Sequence, residues 1–310
     1  MRQINTLLPW FRLCRVPNLL SVPGDPIAGF LLATIGRTPQ RVLPLFAAAG
    51  ASLCLYLFGL ILNDLLDLKS DACERPERPL PSGQITVPQA RMAAIAMGLS
   101  GLNLATSAGR PALLVAALLA ALIILYNAYF KRIPVLGVLT MGLCRGTSLL
   151  LGACAADPAC LDPVINTVSA PVLFAAGGLT LYVVAFSTLA RHEMDPQQPQ
   201  QSTRWLPFLA LLILLPGLLI LLSAQERLTG STPSIYIFLM IMALMQAWLL
   251  GGPLSRLLSM PEIIGRHIRN LLLVQAAFCA ITGLTGLLPA LFFLMLSFVF
   301  TRLSAHFYCS

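Results

Sequence analysis

The chain has 310 residues, of which 57% are hydrophobic and only 10% charged, and its mean hydropathy is +0.83. A soluble domain carries roughly a quarter charged residues, so this composition excludes an ordinary water-soluble enzyme and makes the lipid bilayer the natural solvent. The net charge of +8 then reflects membrane topology first and attraction to anionic lipid or ligand second, and calls for no nucleic acid.

A spanning helix needs about 20 mostly apolar residues. In chain order such stretches fall near 18–36, 43–63, 90–108, 111–130, 134–156, 168–190, 205–223, 234–255, 267–285 and 287–305. The last two are separated only by Gly286 and nearby Pro289, so they form either a tight hairpin or one long broken span. The predicted fold is therefore all-α, a polytopic transmembrane helical bundle of nine or ten spans. The short alternating segments of a membrane barrel do not occur. Residues 1–17 carry Arg2, Arg12 and Arg15, with Pro9 and Trp10 breaking any clean apolar run. They predict an amphipathic lead-in on the membrane surface rather than a cleavable signal. The whole chain, 1–310, reads as a single integral-membrane domain without an evident obligate protein partner.

The first span is entered through Pro17, Pro23 and Pro26 and holds Asp25. An ionisable residue inside a span is a functional hypothesis by default. Two connections are long: 64–89, rich in charge and proline, and 191–204, polar throughout. Long loops in a compact protein are often functional. With the N-terminus in the cytoplasm, most Lys and Arg fall on the inner side and only Arg37, Arg41, Arg110 and Arg227 fall outside. This bias places both long loops in the cytoplasm.

The strongest chemical signal is Asn63-Asp64-Leu65-Leu66-Asp67-Leu68-Lys69-Ser70-Asp71. On a continuous helix Asp64, Asp67 and Asp71 lie at i, i+3 and i+7 and share one face. Such a face repels itself unless a counter-charge is present, and bare carboxylates beside hydrocarbon are costly. Mg²⁺ is the fitting partner, because it takes oxygen ligands and often bridges one or two carboxylates to substrate phosphates. Asn63 adds an amide oxygen. Arg78, Lys131 and Arg191 supply cations that can neutralise phosphate oxygens beyond those the metal covers. Arg145 lies well inside the fifth span and must face the bundle interior with a partner, either a ligand anion or Asp25. Gly142, Gly146 and Ser148 allow close helix packing around it. His267 and His306 carry no signal.

These residues resemble a known family. Asn63-Asp64-x-x-Asp67-x-x-x-Asp71, followed by Arg75-Pro-x-Arg78-Pro79-Leu-Pro-Ser-Gly83, is similar to the first signature of the UbiA superfamily of intramembrane prenyltransferases. Tyr126-Asn-Ala-Tyr-Phe-Lys131 resembles its Tyr/Lys segment, and Gly142-x-x-Arg145-Gly146 its span-five arginine motif. Arg15-x-Pro17-Asn18, with Asp25 and Gly29, resembles its first helix. The resemblance covers about residues 12–195. It implies a bundle around a central cavity open to lipid, in which two aspartate-rich motifs hold Mg²⁺ and the diphosphate of an isoprenyl donor. A prenyl group then passes to an aromatic or lipophilic acceptor. On this basis Asp64, Asp67, Lys131 and Arg145 are expected in the catalytic centre. Arg15, Asn18, Asn63, Arg78, Tyr126 and Arg191 are expected against substrate.

The second family motif is altered. Its place reads Thr188-Leu-Ala-Arg191-His192-Glu193-Met194-Asp195, without an Asp-x-x-x-Asp. Glu193 and Asp195 are the candidate metal ligands there, although two residues on a helix diverge by about 200°. This variation resembles an EboC-type branch, which implies a bacterial inner-membrane enzyme of secondary metabolism.

Overall fold

A computed structural model describes every residue except 1, 16–18, 37–40, 158–168, 192–202, 225–227, 229 and 308–310, with 2–7, 169 and 300–307 described as backbone only. Among the described residues there are helices and turns and no strand. In chain order the helices are α1 (Arg2–Leu13), α2 (Gly24–Ala33), α3 (Leu43–Leu66), α4 (Leu68–Glu74), α5 (Val87–Ala108), α6 (Arg110–Ala128), α7 (Pro134–Ala156), α8 (Ser169–Arg191), α9 (Leu206–Ser223), α10 (Thr232–Gly251), α11 (Met260–Ala280) and α12 (Leu284–Phe307).

Local sequence sets many of the starts. Proline occupies the first turn of α3, α5, α6, α7, α9, α10 and α11. There its missing N–H costs nothing and its fixed φ suits the helix. Capping boxes close the starts of α5, through Thr86 and Gln89, and α11, through Ser259 and Glu262.

Six of these helices are long and apolar enough to cross a membrane: 43–66, 110–128, 134–156, 170–191, 203–223 and 232–256; two shorter apolar segments are 24–33 and 284–299. Helices α5 and α11 match them in length but are more polar. The end of the chain is a packed pair of helices, α11 and α12, joined by a short turn at 281–283. The break falls at Gly283, which has φ +95°, and not at Gly286. Gly283 takes the left-handed conformation that other residues avoid, whereas Pro289 sits inside α12.

The centre of the bundle is α7, which packs on α2, α6 and α8. Glycines make this possible. A Cβ on Gly29 would overlap the Leu149 carbonyl oxygen, and one on Gly152 would overlap that of Pro26. Gly142 and Gly146 meet Thr180 and Ala176 of α8 in the same way. Close backbone approach through small residues is how membrane helices gain packing energy without a hydrophobic drive. On the far side α11 is wrapped almost completely: every residue from Asn270 to Ala280 is buried.

The region predicted as a loop at 64–89 is more ordered than expected. Helix α3 runs to Leu66, Asp67 is a joint, and α4 continues to Glu74. The remaining turn is pinned by local hydrogen bonds, including Ser82 N to the Arg78 carbonyl at 3.0 Å and Ile85 N to the Pro79 carbonyl at 3.0 Å. Leu80 and Ile85 are buried in a small cluster with Leu13, Ile61, Ala90 and Ala94. Burial of these apolar side chains fixes the loop, which composition alone reads as irregular.

Candidate active site

The described carboxylates of the first motif each meet a different cation. Asp64 Oδ1 lies 3.4 Å from Arg15 Nη2, Asp67 Oδ1 lies 2.6 Å from Lys131 Nζ, and Asp71 Oδ2 lies 2.7 Å from Arg78 Nη1. Asp64 and Asp71 are buried. Lys131 stands on a short 3₁₀ turn after α6 and also donates to Asn63 Oδ1 at 3.3 Å. Arg15 reaches Asp64 from a backbone at φ +46°, a left-handed conformation that a non-glycine residue adopts at a cost. Cys14, beside it, has its thiol pushed up, first by burial and then by the charge of Asp64.

The shared face survives with one change. The sequence predicts a continuous helix through Asp71, whereas the structure hinges at Asp67. Helical hydrogen bonds still run across the hinge, from Asp67 N to the Asn63 carbonyl at 2.9 Å and from Asp71 N to the Asp67 carbonyl at 2.8 Å. The three carboxylates therefore stay on one side.

Beside them opens a cavity of about 410 Å³. Arg15, Asn63 and Tyr126 belong to its lining near the aspartates, and Tyr56, Asn127 and Arg145 also border it. Leu60, Leu119, Ile123 and Ile268 give it apolar walls. A second, smaller cavity of about 150 Å³ brings Tyr126 and Lys131 together with Ser187 and Arg191 of α8. The end of α8 thus faces the Lys131 side of the site. Asn18, Glu193 and Asp195 lie outside the described residues.

Arg145 has the protein partner that the sequence left as one of two options. Its Nε lies 2.9 Å from Asp25 Oδ2, an ion pair, and its Nη2 donates to the Ser21 carbonyl at 3.1 Å. Asp25 is fully buried. Its other oxygen accepts from Gln275 Nε2 at 2.6 Å, and the same nitrogen donates to the Ser21 carbonyl at 2.7 Å. Because both neighbours are acceptors, the Gln275 amide must turn its nitrogen toward them. A Cβ at Gly24 would overlap this amide, so the residue before Asp25 is shaped to admit it.

Sequence reasoning missed this use of α11 and a second one. Asn270 Nδ2 donates to Tyr182 Oη at 3.1 Å and to the Ala243 carbonyl at 3.0 Å. Tyr182 Oη lies 3.2 Å from His267 Nδ1. His267, dismissed on sequence, is fully buried, and its ring stacks with Phe186 at a centroid distance of 6.2 Å. The available signal was the set of polar residues His267, Asn270 and Gln275 in an otherwise apolar segment, since such residues face the interior of a bundle.

No group of three or more His, Cys, Asp or Glu side chains converges as a metal cage among the described residues. The donor set still fits Mg²⁺ in its usual manner, through one or two carboxylates completed by substrate phosphate and water. Asp64 and Asp67 are hard oxygen donors next to Asn63, which lines the cavity.

The model of the UbiA prenyltransferase family matches residues 26–256, and the chain belongs to that family. Among curated proteins it is similar to the digeranylgeranylglyceryl phosphate synthases of Methanothrix thermoacetophila, 31% identical over 157 residues (51% of this chain and 56% of that protein), and of Methanopyrus kandleri, 34% identical over 140 residues (45% and 48%). The chain thus matches about half the length of these curated relatives. Among solved structures, a digeranylgeranylglyceryl phosphate synthase superposes with a TM-score of 0.64 at 18% identity, covering 89% of this chain and 98% of that one. A UbiA homologue from Archaeoglobus fulgidus bound to DMAPP and Mg²⁺ gives 0.57 at 16% identity, covering 89% and 99%. At these identities the structures establish a shared fold.

Proposed function

We propose that this protein is an intramembrane prenyltransferase that moves an isoprenyl group from an allylic prenyl diphosphate to a lipophilic acceptor with the help of Mg²⁺. The observation that carries the reading is one juxtaposition: a charged rim of three carboxylates and three cations that meets a mainly apolar cavity through Arg15 and Asn63. A diphosphate needs charge neutralisation as it departs, and an allylic cation needs a dry apolar surround. The rim offers the first and the cavity the second.

Asp64, Asp67 and Asp71 would hold the metal with the diphosphate, and Asn63 would add an oxygen. Bound there, Mg²⁺ supplies Lewis-acid stabilisation of the leaving diphosphate. Arg78, Lys131 and Arg15 are already placed among the carboxylates, and each can turn to phosphate oxygens when metal takes its aspartate. Arg191 and Tyr126 close the Lys131 side. As the allylic C–O bond breaks, the diphosphate keeps the electron pair. The acceptor then supplies a pair to form the new bond and loses one proton. The apolar walls exclude the water that would otherwise capture the cation. Glu193 and Asp195 complete the proposed metal set from the altered second motif, and Asn18 the substrate contacts. The basic bias supports a cytoplasmic position for this rim. The altered second motif also underlies the EboC-type, bacterial inner-membrane reading.

The relatives named above make a glyceryl phosphate lipid, which supports an acceptor that is lipophilic without requiring it to be aromatic. The experiment is transfer by the purified protein in nanodiscs, with Mg²⁺ and labelled prenyl diphosphates. Release of diphosphate together with a prenylated product supports the reading. Mg²⁺-dependent donor binding without cleavage, across a broad acceptor panel, would instead favour a non-catalytic isoprenoid carrier, the reading motivated by the missing Asp-x-x-x-Asp.

A further inference from the structure

Lys131 faces two ways. At the rim it pairs with Asp67, and it also lines the smaller cavity of about 150 Å³. That cavity lies between the turn after α6, the start of α7 and the end of α8. Glycines bring these elements together. A Cβ on Gly137 would meet the Phe130 carbonyl oxygen at 3.0 Å and Lys131 Cα at 3.3 Å, and one on Gly142 would overlap the Thr180 carbonyl oxygen of α8. Tyr126 and Met141 line both cavities, so these two side chains stand between them.

The smaller lining has its own character. Lys131 and Arg191 are its charged residues, and among the described residues no carboxylate lines it. Arg191 is exposed and has no ion pair among the described residues. Ser187 is buried and donates to the Met141 thioether at 3.2 Å. A thioether is a weak acceptor, so this hydroxyl has hydrogen-bonding capacity to spare for an anion. The volume is well below the roughly 300–1,000 Å³ of pockets that enclose drug-sized ligands. It suits a compact polar group and not a lipid chain. Asp67 tunes the charge. Without metal, Asp67 compensates Lys131 at 2.6 Å, and Arg191 is the remaining cation. When Mg²⁺ takes the Asp67 charge, Lys131 is left to the cavity as well. The pull on an anion thus exists without metal and rises with it, a coupling carried by one side chain.

We infer that the smaller cavity is a phosphate subsite built without a metal: Arg191 holds the anion, Lys131 joins it on release from Asp67, and Ser187 adds a hydroxyl donor. Its ligand is one phosphoryl group, either the distal one of the donor diphosphate or one carried by the acceptor. Naming donor and acceptor rests on the transferase reading, but the subsite is tested without turnover.

The probe is inorganic phosphate, titrated onto the full chain in phosphatidylcholine nanodiscs with EDTA present and protein-free discs as reference. Phosphate should bind. Arg191→Gln should weaken it about tenfold or more, because a charged donor is lost. Asp67→Asn frees Lys131 without metal and should tighten it about fivefold. Arg132→Gln, at an exposed neighbouring cation, should change it by less than about twofold. No binding in EDTA overturns the inference, and so does a folded Arg191→Gln protein of unchanged affinity. Weaker binding by Asp67→Asn overturns it by placing the anion on the metal-dependent rim. An equal loss in Arg132→Gln overturns it by showing general surface attraction. Inorganic pyrophosphate with Mg²⁺ is then added to the unmodified protein. Displacement of the phosphate supports a subsite for the donor, and joint binding supports one for an acceptor phosphate. Failure of diphosphate release in the transfer assay counts against the transferase reading alone and leaves these affinities standing.

Discussion

Two charged regions of this protein are built on opposite plans. At the rim, Asp67 and Lys131 pair at 2.6 Å with side chains 29% and 15% exposed, and Asp71 pairs with Arg78 at 2.7 Å. Inside the bundle, Asp25 and Arg145 pair at 2.9 Å, with Asp25 shut off from solvent and backed by Gln275. The rim pairs can exchange partners, because water and a ligand can reach them. The interior pair cannot, because either charge alone would be stranded in an apolar medium. The same kind of ion pair is thus open to exchange in one place and fixed as architecture in the other. That contrast turns the Arg145 position from a free anion receptor into a neutral, oriented donor.

The contrast can be broken by experiment. Asp25→Ala removes one partner of the interior pair and should destabilise the protein by about 3–5 kcal/mol, measured by denaturation in detergent; a loss under 1 kcal/mol would mean the pair is solvated. Asp67→Ala should do the reverse. It should leave unfolding within about 0.5 kcal/mol while diphosphate release falls roughly a hundredfold or more. EDTA should reproduce that loss in the unmodified protein and added Mg²⁺ restore it. Tyr182→Phe strips the hydroxyl between His267 and Asn270 and should cost about 1–3 kcal/mol, since Asn270 Nδ2 and His267 Nδ1 each lose a partner. A neutral result would show that the α8–α11 contact is carried by packing alone.

The smallest effect belongs to the α11 capping box, well away from both regions. Hydrogen bonds from the Ser259 hydroxyl and backbone N–H, at 2.8 Å each, hold the Glu262 carboxyl below its usual range. A carboxyl lowered by folding contributes stability above its unfolded value, near pH 4.3. That contribution is lost as pH falls through the lower, folded value. The melting temperature should therefore decline slightly below about pH 4, and Glu262→Ala should flatten that part of the profile. An identical acid profile in the variant would remove the cap from the account.

Much of the fold was legible because its signals are local. Apolar runs of spanning length marked the helices. The spacing of Asp64, Asp67 and Asp71 showed a shared face. The hinge at Asp67 and the order of residues 75–86 were not legible. The first depends on where α3 ends, and the second on Leu80 and Ile85 finding Leu13 and Ile61.

The amino-acid sequence by itself determined that this is a helical membrane protein with an acidic motif beside cations, because hydrophobicity and helical periodicity act over a few turns of chain. Only the tertiary structure decided what the interior polar residues do. Gln275 meets Asp25 across 250 positions, and Asn270 meets Tyr182 across 88. In a bilayer each buried polar group must find a partner somewhere in the bundle, and which partner it finds is a property of helix packing that no local pattern records.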